Sequence, residues 1–341
     1  MSPVEDDPFE AFGDDSDDDE DAQEESEPVR RDPSCGALVF REGTEQAMLL
    51  YVRNELERSL HIDDTDQTTP REKILRLVDT FCYSRHWMMH VGPEKGIILQ
   101  DFLTRRVQTY LDKADFTYPF VIVEVGTYCG YSSIRMAHTV LALLRDTPAA
   151  FHIITVDVDP NNVAVAKQMM ALAELESHFT FILLADPEHN PKELSLTVRS
   201  KMMERFPERE AGIDFLFLDH AKELYLSDLK QLEESALIQQ DTWVAADNIL
   251  FFRLDEYRQH VQALAVSGVA ETRLEVGKLE YVDDQDKQED LRDGLGKFAV
   301  HDRCIQCICF CVMLFNCTND LPLFTSELTV YLKDPPAAQA R

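Results

Sequence analysis

No stretch of eighteen or more consecutive apolar residues occurs in the 341-residue chain, which excludes a conventional transmembrane helix. The N-terminus lacks the basic and then apolar run of a secretory signal, so the expected compartment is the cytoplasm. Positive charge is scarce: 33 Lys and Arg stand against 63 Asp and Glu, for a net of −30. A surface of that sign repels phosphate, so nucleic acid is excluded as a partner. Eight Cys are present, but Cys35, Cys82 and Cys129 are scattered and the rest crowd between Cys304 and Cys317, which is no extracellular disulfide framework. The three-glycine fingerprint of dinucleotide-binding folds is missing as well, which counts against an oxidoreductase using a nicotinamide cofactor.

What is there begins with an acidic tail. Residues 1–34 hold fifteen Asp and Glu against Arg30 and Arg31, and removing that −13 from the total leaves −17 for the remainder. The run Asp14–Asp21, broken only by Ser16, has no apolar face to bury and is expected to be disordered. It reads as a solvating segment or as a docking site for a basic protein partner, with Ser16 and Ser26 in acidic contexts suited to phosphorylation. The domains expected are therefore a tail over 1–42, a catalytic domain over 43–300 and an apolar, Cys-rich extension over 301–341.

Three helices are expected before any strand. Met48, Leu49, Val52, Leu56 and Leu60 recur at helical spacing. Thr69-Pro70-Arg71-Glu72 is a capping box with proline at the first helical position, followed by the apolar face Ile74, Leu75, Leu77, Val78 and Phe81. A third helix runs from about Glu94 to Leu111. Phe120–Val123 is then a continuous apolar, β-branched run suited to a strand buried on both faces of a parallel sheet. Strands at 152–156, 179–184, 213–218 and 242–246 follow, alternating with helices, which gives a doubly wound α/β topology. Two last strands are expected at Ala270–Val282 and Leu295–Val300, joined by the polar segment Asp283–Asp293.

Ligands of an open parallel sheet gather at the carboxyl ends of its strands. Here those ends carry acids: Glu124, Asp157, Asp219 and Asp247 each follow an apolar run directly. Gly126 and Gly130 bracket the turn after the first strand, where a missing Cβ lets the backbone approach a ligand. Asp157, about thirty residues on, stands where a carboxylate can bond the ribose hydroxyls of a nucleoside cofactor, although helix capping is its alternative role. Asp219, Asp247 and Asn248 offer two carboxylates and an amide oxygen, a hard donor set suited to Mg²⁺ with further positions left for water or substrate oxygens. Lys222, three residues beyond Asp219, is placed to act as a general base on the same oxygen.

Three stretches together resemble the catechol O-methyltransferases. They are His86-Trp87-Met88-Met89-His90-Val91-Gly92, Glu124-Val125-Gly126-Thr127-Tyr128-Cys129-Gly130-Tyr131-Ser132-Ser133, and Phe217-Leu218-Asp219-His220-Ala221-Lys222 with Ala246-Asp247-Asn248. The resemblance covers about residues 45–298. It implies an α/β, doubly wound, Rossmann-like class I methyltransferase sheet with N-terminal helices and a final antiparallel strand. It also implies S-adenosylmethionine as methyl donor, Mg²⁺ as cofactor, and transfer to a hydroxyl of a catechol-like small molecule. The resemblance assigns Asp219, Asp247 and Asn248 to the metal and Lys222 to proton removal. Glu280 and Asn248 fall to the acceptor oxygens, Trp87 to an acceptor wall, and Met89, Val91, Glu124, Gly126, Tyr128, Ser132 and Asp157 to the cofactor.

The chain departs from that family at Ala221, where a tryptophan is usual, at Asp186-Pro187 near the adenine, and at Phe252 by the substrate mouth, and these bear on the substrate rather than on the reaction. A catalytically weak relative that binds S-adenosylmethionine and works through its acidic tail is the alternative reading. Cys304 and Cys307 have C-x-x-C spacing with no second pair after them, so zinc is disfavoured against a buried apolar extension, with Leu321–Leu332 as a possible added strand.

Overall fold

The computed structural model describes residues 43–59, 67–85, 88–185, 190–209, 212–250, 252–277 and 324–336. Helices α1 (Thr44–Ser59), α2 (Pro70–Ser84) and α3 (Gly92–Asp112) come first, as their periodicity requires. The Thr69 capping box closes as its sequence implies: the Thr69 hydroxyl accepts from the Glu72 amide while the Glu72 carboxylate accepts from the Thr69 amide. Strand and helix then alternate: β1 (Phe120–Val125), α4 (Tyr131–Leu144), β2 (Phe151–Asp157), α5 (Pro160–Leu172), β3 (Phe179–Leu183), α6 (Pro191–Arg205), β4 (Phe215–Leu218), α7 (Tyr225–Glu234), β5 (Trp243–Ala246), α8 (Asp255–Val266), β6 (Ala270–Gly277) and β7 (Phe324–Tyr331). Among the described residues no helix is long and apolar enough to cross a membrane.

These strands form one sheet in the order β3-β2-β1-β4-β5-β7-β6. β1 to β5 pair in parallel, and β7 runs antiparallel between β5 and β6. The order reverses between β1 and β4, the switch point of a doubly wound sheet. Continuous apolar strands are explained by burial on both faces. Phe120 and Ile122 of β1 pack into the core beneath α1 to α4, whereas Val121, Val123 and Val125 pack into the opposite core with α6, α7 and α8. One residue of β1 breaks the apolar run: Glu124 lies on the Phe120 side, fully buried, above the start of α4.

The last strands follow the sequence expectation in part: β6 begins at Ala270 as expected, and β7 falls within Leu321–Leu332, read above as a possible added strand. β6 is described to Gly277, and Leu295–Val300, expected as the final strand, lies outside the described residues. The seventh strand is Phe324–Tyr331, a run free of Gly and Pro that matches β6 residue for residue from Ala270↔Tyr331 to Gly277↔Phe324. Its side chains alternate, with Leu328 in one core and Tyr331 in the other. A domain limit at residue 300 therefore falls inside the sheet, and the expected extension over 301–341 supplies an interior strand. Its Cys-rich portion lies outside the described residues.

Candidate active site

The carboxyl edge of the sheet brings the strand-end acids together. The Asp219 amide donates to Val125 O of β1 at 2.9 Å, and the Asp247 amide to Leu218 O of β4 at 3.0 Å. Each acid thus sits one step past its strand while its backbone still belongs to the ladder. Adjacent parallel strands lie about 4.8 Å apart, so the two backbones are held as neighbours.

On the β1–β2 side the chain turns sharply after Val125. Gly126 has φ +103°, and a Cβ there would lie 2.2 Å from the carbonyl oxygen of Asp219, so only glycine fits this contact between the turn and the end of β4. Gly130, φ +81°, precedes α4. Between them the Tyr128 amide donates to Asp157 Oδ2 at 2.8 Å, while the Val158 and Asp159 amides donate to Asp157 Oδ1 at 2.8 and 2.9 Å. Burial raises the Asp157 pKa against the pull of these amides. Helix capping falls instead to Asp159, whose side chain accepts from the Asn161 amide. The Tyr128 hydroxyl donates to Glu45 of α1 at 2.9 Å.

Glu124 is the hub beneath this turn. Its Oε1 accepts from Ser132 Oγ at 2.5 Å, and its Oε2 accepts from Ser133 and from Thr155 Oγ1, the latter at 2.6 Å. Burial pushes its pKa up to about 7, the three hydroxyls pull it down, and Asp219 raises it further. Val91 is buried and Met89 is exposed, on the segment that leads into α3.

On the β4–β5 side, Lys222 Nζ donates to Asp219 Oδ1 at 2.7 Å and to the Tyr225 hydroxyl at 2.6 Å. Tyr225 in turn donates to Leu218 O at 2.8 Å. The Phe252 ring lies 5.8 Å from the same ammonium. Burial raises the Asp219 pKa, Lys222 lowers it, the neighbouring Asp247 carboxylate raises it again and Lys95 lowers it. Asp247 is buried and both its oxygens are engaged: Oδ1 accepts from Ser326 Oγ at 3.0 Å, and Oδ2 accepts from Lys95 Nζ at 2.5 Å. That ammonium also donates to Asn248 Oδ1 at 3.1 Å. Asn248 itself is held at φ +62°.

Of the residues anticipated from sequence, Asp219, Asp247, Asn248 and Lys222 stand in one cluster, and Gly126, Tyr128 and Asp157 in another that touches it through Gly126 and Asp219. Glu124 and Ser132 bond to one another under the turn. Trp87 and Glu280, and the Asp186-Pro187 pair, lie outside the described residues. Lys95, Tyr225 and Ser326 were not anticipated. Lys95 had a signal: it falls in the buried helical stripe Lys95, Leu99, Phe102, Leu103 and Arg106 of α3, and a lysine in such a stripe needs an internal partner. Ser326 had none, because its place follows from the register that pairs Ala246 with Glu327.

A doubly wound parallel sheet with an antiparallel seventh strand inserted beside β5, bearing strand-end acids at the switch point, is the class I methyltransferase fold. Residues 123–249 match the family model described as a methyltransferase domain. The chain is similar to catechol O-methyltransferases: 30% identical over 194 residues to catechol O-methyltransferase B of Danio rerio, covering 56% of this chain and 61% of that protein. With catechol O-methyltransferase of Bos taurus it shares 29% over 191 residues, or 56% and 60% of the two chains. It thus spans about three fifths of the length of these relatives. An O-methyltransferase from Bacillus cereus, solved in complex with SAH, superposes with a TM-score of 0.43 at 13% identity, covering 86% of this chain and 93% of its own. The strand order, rather than that likeness, defines the fold.

Proposed function

We propose that this protein transfers the methyl group of S-adenosylmethionine to a hydroxyl of a catechol or related vicinal diphenol, assisted by Mg²⁺. The observation that carries this reading is the convergence of Asp219, Asp247, Asn248 and Lys222 beside the glycine turn and Asp157 on one sheet edge. Similarity to the catechol O-methyltransferases supports it.

The donor set fits a hard divalent cation. Asp247 Oδ2 and Asn248 Oδ1 already converge on one cationic nitrogen, that of Lys95, and burial raises the pKa of Asp219, with Lys222 and Lys95 lowering it and Asp247 raising it further. The third donor of the proposed set is the amide oxygen of Asn248, which shares the Lys95 ammonium with Asp247. Mg²⁺ held by Asp219, Asp247 and Asn248 would lower the pKa of a bound hydroxyl and fix the diol.

The protein's own groups supply the rest. Asp157 stands at the turn after β1 with two amides on Oδ1 and one on Oδ2, which orients the carboxylate, and the family resemblance assigns it to the ribose of the cofactor. Lys222, whose Nζ is held 2.7 Å from Asp219 Oδ1 and 2.6 Å from the Tyr225 hydroxyl, is assigned as the base, which acts through the amine lone pair it has once deprotonated. The acceptor's hydroxyl proton would go to that lone pair, and S-adenosylmethionine, when bound, would supply its sulfonium methyl to the acceptor oxygen and leave as the thioether. Glu280 is assigned to the second acceptor oxygen and Trp87 to a wall of the pocket on the strength of the family resemblance.

The test is methyl transfer from labelled S-adenosylmethionine to a panel of vicinal diphenols, with Mg²⁺ or with chelator, for wild type and Lys222→Ala. Wild type is expected to require the ion. The variant should lose about 10²- to 10⁴-fold in turnover while keeping its affinity for the cofactor. Transfer that persists in chelator and in Lys222→Ala would remove the proposed mechanism.

A further inference from the structure

Lys95 is 4% exposed and its ammonium touches two of the three groups assigned to the metal, at 2.5 Å from Asp247 and 3.1 Å from Asn248. It also lowers the pKa of the third, Asp219, through space. A lysine placed so deeply is held by α3, whose first turn begins at Gly92 and whose stripe of Leu99, Phe102 and Leu103 is packed in the core. Gly96 next to it admits the Arg135 side chain, 2.6 Å from where a Cβ would stand, so this turn of α3 lies close against α4. The ammonium is therefore carried on a rigid element rather than on a loop.

Charge at the site is balanced before any ion arrives. Asp219 and Asp247 are matched by Lys222 and Lys95. Two opposed consequences follow for a divalent ion. The ammonium keeps Asp247 and Asn248 pointed at a common centre, so little reorganisation remains; but it also opposes a second cation at close range in a buried setting, where charges are weakly screened. Because Ser326 holds the other Asp247 oxygen at 3.0 Å, the carboxylate stays oriented even without the lysine, and the repulsion outweighs the lost ordering.

The geometry points to Lys95 as an internal counter-cation of the metal site, a positioning residue that stabilises the metal-free ligand set and keeps divalent-ion affinity low. This rests on the metal reading above and extends it to a residue that reading does not use. In the ion-free protein Lys95 neutralises Asp247; when the ion binds, the ammonium gives up its bond to the ligating oxygens.

The experiment titrates Mg²⁺ alone, without acceptor or cofactor, into wild type, Lys95→Met, Lys95→Gln and Lys95→Arg, by calorimetry and by the Mg²⁺-induced change in Tm. In chelator, Lys95→Met and Lys95→Gln should melt below wild type, and saturating Mg²⁺ should recover most of that loss. Both should bind Mg²⁺ about tenfold more tightly than wild type, and Lys95→Arg, which keeps the charge, should stay near wild type. Unchanged or weaker Mg²⁺ affinity in both neutral variants overturns the assignment of Lys95 while leaving the metal site in place. A wild-type protein that gives neither binding heat nor a Tm change with Mg²⁺ sinks the metal reading and the counter-cation together.

Discussion

Glu124 combines full burial with three hydroxyl donors, and its pKa of about 7 follows from the first outweighing the second. A carboxyl raised above its ordinary 4.5 in the folded state favours folding when protonated. That contribution is present in full below pH 4.5 and is lost as the pH rises through 7, an upward shift worth about 3 kcal/mol. Glu124→Gln removes the titration, and the Ser133 and Thr155 hydroxyls can rotate to accept from the new amide. Urea unfolding of both proteins at pH 5 and pH 8 should therefore show the variant gaining on wild type by about 2.5 kcal/mol between the two conditions. Parallel pH profiles would mean that Glu124 titrates as an ordinary carboxylate. At this scale the sequence was informative wherever an acid directly followed an apolar run, since only a strand end explains Asp219 and Asp247 in that position. It was silent on what holds them: Lys95 lies 152 residues from Asp247, and nothing local ties the two.

Between elements, the turn after β1 and the end of β4 approach each other closely at Gly126. Gly126 occupies a left-handed conformation and would press a Cβ against the Asp219 carbonyl. Both costs fall on Gly126→Ala, and the obstacle is backbone that cannot rotate away. The expected loss exceeds about 2 kcal/mol in denaturant unfolding, and since Gly126 is assigned to the cofactor and the Cβ presses on Asp219, assigned to the metal, binding of both should weaken with it. A variant of wild-type stability would show that β1 and β4 can separate without cost. The helices and parallel strands were legible because their signals are local: the Thr69 capping box with its proline, and the apolar runs of β1 and β4. The last strands were legible in part: a strand from Ala270 and a possible one within Leu321–Leu332 could be read, but the place of Phe324–Tyr331 between β5 and β6 is decided by register.

For the whole molecule, the interior place of β7 means that the C-terminal segment belongs to the fold. Among the described residues β6 joins the sheet through β7, and Asp247 loses the Ser326 hydroxyl if that strand is removed. A chain ending at residue 300 should accordingly lack cooperative unfolding and collect as insoluble material; circular dichroism and thermal melts of the truncated and full chains measure this. A soluble truncated protein that melts as wild type would place the domain limit back at 300. Composition and periodicity were enough to establish a doubly wound sheet edged with acids, because burial on two faces and strand-end polarity are written into consecutive residues. Which lysine neutralises Asp247, which serine orients it and which distant run closes the sheet were decided only on folding, because those partners meet through packing and strand register across long stretches of chain.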